Sequence, residues 1–126
     1  MTRPLLISGV LLLAGVVHLL PLLGVLGAAR LEQLYGLRME DPNLLLLMRH
    51  RALLFGLLGL LLATAAFKPA WQGLALLAAW ASVLGFVLLA PSGLLPALQR
   101  VWWIDVALLP FLALASWAYL SAPRTS

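Results

Sequence analysis

Long leucine-rich runs separated by short polar breaks set the pattern of this chain. The first run covers residues 4–29 and is interrupted only by Ser8 and His18. The second covers 44–67 and holds a basic cluster, Arg49-His50-Arg51, inside its first half. The third covers 73–90, with Ser82 its one clearly polar member, and the fourth covers 101–122 and contains Asp105, Pro110, Ser116 and Ser121. A helix that crosses a bilayer needs about 20 apolar residues, and all four runs come close. The breaks carry turn chemistry: Asp41-Pro42-Asn43, Lys68-Pro69-Ala70, Pro91-Ser92-Gly93 and Pro96. Trp71, Trp102, Trp103 and Tyr119 fall near run ends, where amphipathic rings sit at the headgroup level. The pattern predicts an all-α, integral membrane four-helix bundle, antiparallel and up-and-down, forming a single domain over residues 1–126.

Composition narrows the solvent. Of 126 residues, 64% are hydrophobic and 10% charged, and the mean hydropathy is +1.09. Such a chain has too little polar surface to cover a globule in water, so most of its surface must face lipid. Gly27-Ala28-Ala29 looks like a small-residue cleavage site. The first run is nevertheless about twice a usual signal core and contains His18 and Pro21, so it reads as a retained helix. Cysteine is absent, which excludes disulfides, thiolate metal sites and cysteine nucleophiles. The net charge of +4 comes from scattered bases without an aromatic-laced basic stripe. Nucleic acid is therefore not expected as a partner, and membrane lipids are.

Small residues mark packing faces. Ala78, Ser82 and Gly85 share one face of the third run; Gly56 and the Gly59-x-x-x-Ala63 pair share one of the second. These spacings let helix backbones approach closely in a membrane. Pro21 and Pro110 should kink their helices or end a helical turn early. The stretch 30–43 is the only loop of substance and is long enough for a short interfacial helix.

Threading the runs up and down places the polar groups. Let side A be the membrane face where the first run begins and side B the other. Arg49 to Arg51 then lie about 8–11 Å below the side B start of the second run, Asp105 about 6 Å into the fourth, and His18 roughly 15 Å from the side B end of the first. All intramembrane ionisable groups fall in one half of the bilayer, where a charge must face the bundle interior, pair, or snorkel. Arg49 and Arg51 are about 200° apart on a helical wheel, so only one faces inward. Arg49 continues through Gly56, Leu60 and Ala63, a face suited to close packing; Arg51 continues into Phe55, Leu58 and Leu62. The expectation is that one of the two turns inward and pairs with Asp105, Arg49 being the better candidate by its face, while the other snorkels to the headgroups.

Two functional readings follow. In one, His18, Arg49, His50, Asp105 and Trp102 line a polar pocket inside the bundle for a lipid-like or quinone-like amphipathic small molecule. In the other, the polar cluster only fixes the fold, and the protein is a helper or accessory subunit of another membrane protein, or associates with itself. No catalytic set is assigned. The two histidines differ in depth by about 6 Å and no carboxylate-rich surroundings are evident, so no metal or haem is expected. The G-x-G-x-x-G, G-x-x-x-x-G-K-[ST], G-x-S-x-G and H-E-x-x-H motifs are all missing, which leaves nucleotide cradling and the usual hydrolase and zincin schemes without support.

The stretches GVVHLLPLLGVLGAARLEQLYGL and DPNLLLLMRHRALLFGLLG carry a likeness. With His18 and Pro21, Leu34-Tyr35-Gly36, and Met48 to Arg51 followed by glycines, the chain resembles small bacterial inner-membrane proteins related to the DoxX-like four-helix group. Some proteins of this appearance carry a phosphopantetheine adenylyltransferase label, but the H-x-G-H nucleotide motif of that soluble family is missing here. The resemblance implies a multi-pass protein of the bacterial inner membrane. Some DoxX-like relatives act as partner subunits of membrane redox enzymes and others assist membrane-protein assembly; neither role attaches to particular residues of this chain.

Overall fold

The computed structural model describes residues 2–123, and every regular element among them is helical. α1 runs Thr2–Leu19 and tightens without a break into a 3-10 segment, Leu20–Leu26. Pro21 explains the change of pitch, because it has no N–H to continue the α-helical ladder. Gly27 follows with φ 134° and ψ −170°, a conformation that only glycine adopts easily, and turns the chain into α2, Ala28–Tyr35. α2 is the short helix expected in the loop. It stops at Gly36, whose φ of 68° makes a left-handed cap and whose N–H donates to the Glu32 carbonyl.

α3 spans Pro42–Ala65, a short 3-10 turn Pro69–Trp71 opens α4, Gln72–Leu89, and α5 spans Pro96–Leu120. Pro42 and Pro96 are helix starts rather than breaks, since a missing N–H costs nothing in the first helical turn. Asp41 caps α3 by accepting from the Asn43 N–H at 2.8 Å. α5 continues through Pro110 as one helix.

Four units are long and apolar enough to cross a membrane: Thr2–Leu26, Pro42–Ala65, Pro69–Leu89 and Pro96–Leu120, of 21 to 25 residues each. At about 1.5 Å per residue these exceed a hydrocarbon layer about 30 Å thick. Their ends meet in antiparallel fashion. Arg3 Nη1 at the start of α1 donates to the Ser121 carbonyl at the end of α5, 2.8 Å. Ser8 donates to the Ala66 carbonyl beyond α3, 2.6 Å, and Trp80 in α4 donates to Ser116 in α5, 2.8 Å. α1 packs chiefly on α3 and α5, and α4 on α5 and α3.

The packing sorts residues by size. Ala14, Ala65, Ala75, Ala79, Ala115 and Ala118 are fully buried, with Leu11, Leu62, Leu112 and Val83 between them. Leu46, Leu57, Leu77 and Leu88 point outward. Small residues inside and leucine outside is the arrangement of a bundle bathed in lipid, where helices gain by close backbone approach. This is a multi-pass membrane protein. The tightest approach is between α1 and α3. A Cβ added at Gly59 would lie 2.8 Å from the Gly15 carbonyl oxygen and 2.9 Å from the Leu19 nitrogen. Gly85, read from the sequence as a packing position, has open space beyond it instead. Among the side A charges, Arg3 lies over Trp117 and Lys68 over Trp71, while Arg124 lies outside the described residues.

Candidate functional site

The two longer helices that start at proline set the depth of the polar groups. Arg51 and Asp105 each lie about 14 Å along their helices from Pro42 and Pro96, and His18 lies about 15 Å from Leu26 through the tighter segment. The three therefore share a level, deeper for Asp105 than the apolar runs implied. They also share a cavity of about 190 Å³ between the helices in the side B half. α2 closes it from that side with Leu34 and Tyr35, and Phe55, Phe86 and Val101 complete its walls. Every one of the five helices contributes a residue.

His18, on α1, is 3% exposed and its needs are met. Its Nδ1 lies 2.7 Å from the Ala14 carbonyl, which can only accept, so Nδ1 carries the hydrogen. Nε2 lies 2.9 Å from the Ser82 hydroxyl of α4, which donates to it when the ring is neutral. The imidazole stacks on Phe55 with centroids 5.5 Å apart. Phe55 in turn has the Arg51 guanidinium 4.4 Å from its centroid. Arg51 Nη1 donates to the Tyr35 hydroxyl at 2.9 Å, which leaves further N–H groups of the guanidinium uncommitted. A cation held between two aromatic rings is stabilised by their faces where water is scarce.

Asp105 is different. It is 8% exposed, yet among the described residues it accepts no hydrogen bond, and the sole ion pair within 4.0 Å is Arg38–Glu40 at the surface. No fully enclosed side-chain oxygen or nitrogen among those residues lacks a partner, so the Asp105 carboxyl opens into the cavity. Arg51 and Asp105 thus line one chamber with opposite charges and no direct contact.

The structure corrects the choice of arginine. Arg51, not Arg49, turns inward, because Phe55 one turn on and Tyr35 from α2 give its guanidinium aromatic faces and an acceptor. Arg49 is exposed and its Nε donates to the Val25 carbonyl at 2.9 Å, satisfying a group that the tightened end of α1 leaves free. His50 is exposed too and does not reach the cavity. Trp102 does not line it either: its Nε1 donates to the Val87 carbonyl, 3.3 Å, and its ring meets Trp103 edge-on at the side B rim. Of the expected set, His18 and Asp105 come together. Tyr35, Arg51, Phe55 and Ser82 join them; the sequence signals for that group were the Arg51–Phe55 spacing of one helical turn and Ser82 as the lone polar residue of its run.

A wider hollow of about 920 Å³ opens at side A beside Arg3, Ser8, Gln72 and Tyr119. Gln72, buried here, adds a polar group to this half. The mouth is edged by Thr2 and Pro123, the limits of the described chain, and no acid lines it. Comparison with protein-family models, with curated proteins and with solved structures finds no match.

Proposed function

We propose that this protein binds an amphipathic small molecule, lipid-like or quinone-like, with its polar head in the side B cavity and its tail in the bilayer. The observation that carries the reading is Asp105: a buried acid at membrane depth, without a protein partner among the described residues, facing a chamber. An ionisable group in such a place is expensive unless something satisfies it. A ligand head can do so. Leu20, in the 3-10 segment after α1, and Ile104, in α5, line the cavity and are 57% and 45% exposed, an apolar rim along which a tail can reach the bilayer. Residence in a bacterial inner membrane, and kinship with the DoxX-like group, belong to this proposal and rest on the sequence likeness alone.

Mass spectrometry of small molecules extracted from purified protein tests it. The expected result is one amphiphile enriched over bulk lipid in the native protein and lost from Val101→Phe, which narrows the cavity. An extract matching bulk lipid in both proteins would overturn the reading. A tightly held partner protein in the same preparation would then favour the accessory-subunit role.

A further inference from the structure

The lining of the side B cavity restricts the head that fits. Arg51 opposes a cationic head and Asp105 an anionic one, so the pair selects a head without net charge. Asp105 has acceptor oxygens and no partner, which calls for a donor on the ligand. Arg51 has N–H groups to spare and the Tyr35 hydroxyl is beside it, which calls for an acceptor. A hydroxyl supplies both roles with one oxygen. The volume, about 190 Å³, compares with the ~150 Å³ that holds a benzene molecule in an engineered cavity, so a single ring fits and a phosphodiester head with its substituents does not. Tyr35, Phe55, Phe86 and the His18 imidazole present ring faces or edges to that volume, and aromatic rings pack well on one another in offset or edge-on geometry.

Resting on the binding reading above, we infer that the site takes a phenol: a single hydroxyl-bearing aromatic ring with an apolar tail, its O–H donated to Asp105. A carboxylate accepts a phenolic O–H in a charge-assisted bond, stronger than a neutral one. A site built around that bond discriminates sharply against an analogue lacking the hydrogen, because the buried carboxylate is then left alone.

The probes are 4-nonylphenol, its methyl ether 4-nonylanisole, and dodecyl phosphate, equilibrated with the full chain in phosphatidylcholine nanodiscs. Protein-free discs correct for partition into lipid. The expected result is nonylphenol retained at about one molecule per chain and at least tenfold more tightly than nonylanisole, with dodecyl phosphate no higher than in empty discs. Asp105→Asn should remove most of the preference for phenol over ether; if that variant does not fold, the native ratio decides. Equal retention of phenol and ether, both lost in Val101→Phe, would overturn the phenol assignment and leave a cavity that binds amphiphiles. Preference for dodecyl phosphate would overturn it as well. Retention of none of the probes above empty discs would remove the binding reading together with this one.

Discussion

Arg49 and Arg51 differ by one intervening residue and by everything around them. A guanidinium in a membrane half needs acceptors or aromatic faces, and Arg51 finds Tyr35 and Phe55. Wheel geometry alone favoured Arg49, because its face carries small residues and the Arg51 face carries bulky ones. That preference weighs helix packing and ignores that a phenylalanine one turn away is itself a partner for a cation. The deciding contact also comes from α2, a separate element whose position no local pattern reports. His18 was legible for a simpler reason: a polar ring amid leucines must bond to something, and Ala14 and Ser82 supply it. The consequence is measurable. Arg51→Gln should destabilise the protein by about 1–3 kcal/mol, through a charged hydrogen bond and a desolvated cation–π contact. Arg49→Gln should cost less than about 1 kcal/mol, the net worth of one exposed hydrogen bond to the Val25 carbonyl. SDS titration of the folded fraction in mixed micelles compares the two, and a larger loss from Arg49→Gln would reverse the assignment. Asp105→Asn should combine additively with Arg49→Gln in the same assay, since the two sites share no partner.

At the scale of elements, helix starts were less legible than helix existence. Long apolar runs locate the spans because nothing else in a bilayer tolerates them. Their ends drift, since Pro96, Gln99 and Arg100 look like loop and yet lie in the opening turns of α5. That shift moves Asp105 to the level of His18 and Arg51 and makes the common cavity possible. Glycines divide in the same way, between those that meet a neighbour and those that meet nothing. Gly59 lies against the backbone of α1, so Gly59→Ala must push the two helices apart and should cost about 1–3 kcal/mol. Gly85 has nothing within 4 Å of an added Cβ. Gly85→Ala should therefore be neutral or stabilising by up to about 1 kcal/mol, the usual gain from removing a helix-interior glycine. Equal effects at the two positions in thermal unfolding would show that α1 and α3 do not meet at Gly15 and Gly59.

For the whole molecule, the membrane class follows from hydropathy, but the inward faces do not. Each span is apolar all round, so polarity cannot say which side is buried; size sorts the residues instead, with alanine and glycine inside. The same view bears on orientation. Arg51 sits in the bundle and cannot count as a loop charge, whereas Arg49 is exposed and satisfied at the end of α1. Side B then offers Arg30, Arg38, Arg49 and Arg100, against Arg3 and Lys68 on side A, with Arg124, outside the described residues, next in sequence after the side A end of α5. The bias toward basic cytoplasmic loops favours side B in the cytoplasm by a narrow margin. In a bacterial inner membrane, alkaline phosphatase fused after Ser126 should be active and a green fluorescent protein fused there should be dark. The reverse pattern would place side A in the cytoplasm. Because the margin is a single charge, inserting two lysines in the turn between α3 and α4 should tip the balance and silence the phosphatase. Continued activity after that insertion would mean that something other than loop charge, such as the capped α2 segment, holds the orientation.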